Sequence, residues 1–124
     1  MSESPSIAQL LDRFLSDQED RLSLQQYRAC NTVVDMLANY LNRYAFAVLN
    51  PVDRKEWDAA YESGDSDAYC NLFGVRKLVL GIKPFHEQHL RGRLHAPEMV
   101  QEHALSVTSD LADWLASQGH SGRP

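Results

Sequence analysis

The chain has 124 residues, of which 44% are hydrophobic, with a formal net charge of −5. That length suits one domain, and that composition supports a packed core and excludes wholesale disorder. The acidic balance works against tight nonspecific DNA binding, and no apolar run approaches the roughly 18 residues needed to cross a membrane. The opening, Met1 to Ser6, is polar and acidic and has no basic segment followed by an apolar stretch, so no secretory leader is expected and a cytoplasmic location is.

Along the chain, residues 6–18 read as a helix. Ser6 can cap it, and Ile7, Leu10, Leu11, Phe14 and Leu15 follow the spacing of one helical face. The polar stretch Ser16 to Arg21 reads as a connector. Ser23 and Gln26 then form a capping box that opens a long helix running to about Val48. Its stripe is Tyr27, Cys30, Val34, Leu37, Leu41 and Tyr44. Val33, Ala38, Tyr40 and Phe46 make its other faces apolar too, which points to a central element touched from several sides.

Asn50-Pro51 stops that helix and starts another, which runs to about Glu62 with Trp57, Ala60 and Tyr61 facing inward. A short helix over about 66–73 follows, ended by Gly74. In residues 75–95, Val75, Leu78, Val79 and Ile82 fit one helical face. Pro84 is expected to kink or end that helix, and a short helix is expected after it. The last helix spans 97–118, with Val100, Ala104, Val107, Leu111 and Trp114 on its inner stripe. The expected fold is therefore an all-α, single-domain bundle of five or six helices over residues 1–119. The helices 24–48 and 97–118 form a packed pair, and residues 120–124 are a disordered tail.

The charge is unevenly spread. Residues 75–95 carry Arg76, Lys77, Lys83, Arg91 and Arg93 against Glu87, a net +4 that leaves −9 for the rest. Residues 53–67 hold six acids against Arg54 and Lys55. The five basic residues are the candidate contacts for an acidic partner or a nucleic acid, although mutual neutralisation on an ordinary surface explains the same pattern.

Reaction chemistry is harder to find. His86 and His89 are three apart and would share a helical face, and with His103 they are the candidates for a metal site. His86-Glu87-Gln88-His89 is one residue short of the spacing that sets two zinc ligands one turn apart, so exposed histidines in a polar segment are the better reading. The acidic pairs Asp65/Asp67 and Asp110/Asp113 fall in a loop and on a polar helix face, not against the apolar walls that general acids need. There is no phosphate loop, nucleophile elbow or CxxC. Cys30 and Cys70 read as reduced, partly buried thiols. No catalytic residue, metal or cofactor is expected.

Two resemblances follow from particular residues. Phe14-Leu15, Leu22-Ser23 with Tyr27, Leu72-Phe73-Gly74, and the ending Val107-Thr108, Leu111 to Ala116 and Gly119 resemble a group of small uncharacterised prokaryotic helical proteins. That resemblance covers most of the chain and implies no activity. Phe14-Leu15, Ser23, Tyr27, Leu37, Leu41, Leu111, Leu115 and Gly119 also resemble the N-terminal SAM-like core-binding domain of tyrosine recombinases. This second resemblance implies a small helical bundle that clamps DNA. The functional expectation is a non-catalytic helical interaction or regulatory protein whose partner is another protein or a second copy of itself. The alternative is a nucleic-acid-binding accessory protein using residues 75–95.

Overall fold

The computed structural model describes residues 5–118, so the expected tail lies outside the described residues. The fold is an all-α single domain of six helices: α1 (Ile7–Arg21), α2 (Leu24–Tyr44), α3 (Pro51–Glu62), α4 (Ala68–Leu72), α5 (Val75–Pro84) and α6 (Glu98–Ser117). A 3-10 turn, Ala45–Val48, follows α2, and a π-helical segment, Phe85–Arg93, follows α5 directly. No described helix is long and apolar enough to cross a membrane.

The starts of α1 and α2 are fixed locally. Ser6 and Ser23 each accept a hydrogen bond from the backbone N–H three residues on, and Gln9 and Gln26 return the bond to the cap. Asn50 caps α3 through the Asp53 N–H, with Pro51 in the first turn. The stretch expected as a connector, Ser16 to Arg21, is helical instead. Gln18 is buried within it, and α1 ends where the Leu22 N–H bonds the Gln18 carbonyl. Tertiary burial thus extends α1 past its apolar run.

α2 is the central element, touching α1, α4, α5, α6 and the π-helical segment. Cys30, Val33, Val34, Leu37, Tyr40 and Leu41 are buried on it. At the stripe's ends, Tyr27 is only half-buried and Tyr44 is exposed. On α6, Ala104, Val107, Leu111 and Trp114 are buried as expected, whereas Val100 is exposed because the first turn of α6 projects beyond the core. α1 and α6 meet where Phe14 sets its ring edge-on to Trp114, whose Nε1 donates to Asp17 Oδ2 at 2.6 Å. α1 is also tied to the end of α4, through the Ile7 N–H and the Phe73 carbonyl at 2.8 Å.

Asn42 makes the most complete buried polar junction. Its side-chain oxygen accepts from the Cys70 N–H at 2.9 Å, and its amide donates to Asp67 Oδ1 at 3.3 Å. It thereby satisfies an N–H in α4, a helix of only five residues with no side-chain cap of its own. Both cysteines are buried and free. Burial, with Asp67 adding and the Asn42 amide opposing, pushes the Cys70 thiol up to about 12.

The largest departure from expectation lies at Pro84, which neither kinks nor ends the helix. The ring removes one backbone donor, but the Phe85 N–H still reaches the carbonyls of Gly81 and Ile82, and the wider π turns follow. Gly81 sets the depth of this segment: a Cβ there would collide with the Leu41 side chain on α2, so only glycine allows this approach. The π-helical run stops at His95, whose backbone is left-handed at φ 48°, and Pro97 leads into α6.

Candidate functional site

The segment from Val75 to Arg93 divides its side chains between two neighbours. One side lies on α2. Phe85 and His89 pack against Tyr40, with ring centroids 5.8 and 5.1 Å away, and His89 also meets Tyr44 at 5.5 Å. The other side faces α6 and leaves a groove of about 540 Å³. Its apolar lining comes from Val79, Ile82, Leu105 and Ala112. Lys83, Glu87 and Arg91 carry the charge along it. Val79 is 42% exposed and Leu105 is 51% exposed, so apolar surface is left open on both walls.

One polar contact crosses this groove. His86 Nε2 lies 2.8 Å from Thr108 Oγ1, and Thr108 donates back to the Ala104 carbonyl at 3.0 Å. With its proton on that carbonyl, the hydroxyl accepts from His86 Nε2–H, which leaves Nδ1 as an acceptor. That Nδ1 is buried with no partner among the described residues. Burial holds the His86 imidazole below its ordinary value, because a charged ring would lack solvation there.

The two histidines therefore point to different neighbours. His86 turns to α6 and His89 to α2, because a π turn holds more residues than an α turn and rotates positions three apart away from each other. The expectation of two exposed histidines on one face is corrected on both counts: His86 is half-buried and His89 is buried. His103 stands on the far side of α6, in another cleft. Among the described residues, no group of three or more His, Cys, Asp or Glu side chains is arranged to hold a metal ion.

The five basic residues split in the same way. Lys83 and Arg91 line the groove. Arg76 is exposed and precedes Lys83 by seven residues, two turns along the same helical side. Lys77 turns away and pairs with Asp53 of α3 at 3.2 Å. Arg93 lies 3.9 Å from the centre of the Tyr44 ring and bonds His89 Nδ1 at 3.0 Å. Burial and the Arg93 charge both hold His89 below its ordinary value. The basic segment thus places two cations at the groove and spends two on internal contacts.

Sequence reading also looked for surplus apolar surface among the aromatics, and it lies elsewhere. Tyr40 is buried, and Phe46 stacks on Trp57 at 5.0 Å with Arg54 over its outer face. The exposed apolar groups at the groove are aliphatic. Val79 was expected to face inward with Leu78, but only Leu78 is fully buried. Thr108 and Leu105 were not singled out at all. The available signal was Leu105 standing one position off the Ala104–Val107–Leu111 stripe.

Comparison with protein-family models, with curated proteins and with solved structures finds no match to this chain.

Proposed function

We propose that this protein is a non-catalytic interaction module whose groove between α5 and α6 receives an acidic amphipathic helix of a partner protein. The supporting observation is the groove itself: an open apolar trough between two helices, with Lys83 and Arg91 along it. A helix laid in such a trough buries anchors one turn apart, and cations at the edge favour carboxylates flanking those anchors. Arg76 extends the same positive side. A cytoplasmic setting belongs to this reading.

The alternative reading is a nucleic-acid contact by Arg76, Lys83 and Arg91. Lys77 and Arg93 are engaged inside the molecule, which leaves fewer cations for phosphates. The test uses a fluorescein-labelled synthetic helix with leucines at one-turn spacing and glutamates beside them, together with a scrambled control. Anisotropy should show saturable binding of the patterned peptide alone, weakened about tenfold or more by Leu105→Glu and by Lys83→Glu/Arg91→Glu. Equal binding of both peptides, or binding unchanged by Leu105→Glu, contradicts the proposal. A duplex oligonucleotide that binds more tightly than the peptide, with affinity falling steeply as salt rises, favours the alternative.

A further inference from the structure

A second cleft lies on the opposite side of α6, where the last turn of α1 meets the first turns of α2. It has two chambers, of about 340 and 400 Å³, which share Gln18, Leu22 and Asp110 as their common wall. Gln18 is only 8% exposed, yet its carboxamide forms no hydrogen bond with any described residue. Such a group is out of keeping with native interiors, where buried polar side chains are almost always partnered. It lines both chambers and presents a donor and an acceptor to whatever fills them.

The charge of the cleft is specific. Asp110 stands at the junction of the chambers, close enough to the floor to help raise the buried Cys30 thiol. Asp113 joins it in the second chamber, opposed there by Arg21. The carbonyl end of α1 lies alongside, the negative end of that helix's dipole. The neighbouring N-terminal end of α2 has its Ser23 and Gln26 amides already engaged by the capping box. Leu22, Ala29 and Val107 supply an apolar wall in the first chamber. An acceptor-rich head with an apolar arm matches one ligand chemistry: a protonated primary amine on a short aliphatic chain.

We propose that this cleft binds a linear alkylammonium group, its head between the Asp110 carboxylate and the Gln18 side-chain oxygen, its methylenes along Leu22, Ala29 and Val107. The head donates N–H bonds to both oxygens and completes the buried amide of Gln18. The same chemistry can come from a free diamine or from a lysine side chain of a partner. This site is separate from the α5–α6 groove, and either proposal can fail without the other.

The test is a ¹⁵N–¹H NMR titration of the full chain with 1,4-diaminobutane, with Nα-acetyl-lysine methylamide, and with 1,4-butanediol as the uncharged control. Either amine should shift the Gln18, Ser106 and Asp110 resonances saturably, while the diol leaves them in place. Stronger binding by the diamine assigns a free amine, and stronger binding by the lysine derivative assigns a partner's side chain. Asp110→Asn, at an exposed position, should weaken binding about tenfold with the helical circular dichroism unchanged. Gln18→Met, which keeps the length and removes the amide, should weaken it several-fold while the protein stays folded. Equal shifts with the diol, no shift with either amine at millimolar concentration, or full affinity in Asp110→Asn overturns the proposal.

Discussion

Two buried polar junctions hold helices to one another in this molecule, and they are built to different standards. Between α2 and α4, Asn42 spends both ends of its amide, on the Cys70 N–H and on Asp67. Between the π-helical segment and α6, His86 bonds Thr108 through one nitrogen and leaves the other buried and unpaired. The first junction is closed. The second runs beside an open groove with exposed Val79 and Leu105 on its walls. A fully satisfied polar contact fixes a unique packing, whereas a half-satisfied one marks a seam that opens at lower cost. The contrast teaches where the molecule is rigid and where it has surface to offer.

The contrast can be broken most forcefully at its closed end. Asn42→Leu strands the Cys70 N–H inside the protein, and urea unfolding should show a loss of roughly 2–3 kcal/mol. A loss below about 0.5 kcal/mol would mean that the α2–α4 junction is not the lock it is taken to be here.

At the open seam the expected changes are smaller and depend on which partner is removed. Thr108→Val deprives His86 Nε2–H of its acceptor and should cost about 1–2 kcal/mol. Adding His86→Leu removes the stranded donor and the unpaired Nδ1 together, so the double variant should recover most of that loss. Strictly additive losses in the double-mutant cycle would show that the two side chains do not act as a pair.

Acid sharpens the same comparison by a smaller, graded effect. His86 and His89 are both held below the ordinary imidazole value of 6.5 in the folded protein, chiefly by burial. The unfolded chain therefore takes up protons first as pH falls. The stability these rings contribute is complete above about pH 6.5 and is lost as pH drops through their folded values. Urea midpoints should fall between pH 7.5 and pH 5, and His86→Leu should flatten part of that dependence. A midpoint that rises over this range would contradict the assignment of neutral, buried rings.

Much of the fold is legible in the sequence because it rests on local or periodic signals. Ser6, Ser23 and Asn50 start helices by chemistry contained within four residues. The Cys30–Val34–Leu37–Leu41 stripe defines the inner face of α2 by spacing alone. The misreadings arise where distant residues decide. Gln18 is helical because it is buried against its surroundings, not because of its neighbours in sequence. Pro84 is carried through because Gly81 presses the helix onto Leu41, and the resulting π turns separate His86 from His89. The groove was half legible. Lys83 and Arg91 were evident as part of a basic segment, but nothing local shows that Lys77 and Arg93 turn back into the molecule. Thr108 has no meaning until α6 meets the π-helical segment.

The most direct test of the central claim is amide hydrogen exchange of the full chain with and without the patterned acidic helix. In the free protein, Val33 to Leu41 should exchange most slowly and Glu87 to Arg93 much faster, through local opening of the seam. With the peptide, new protection should run along Val79 to Arg91 and Leu105 to Ala112, leaving α1, the first half of α2 and α4 unchanged. Uniform exchange in the free protein, or new protection confined to α1, α2 and α4, would contradict the account.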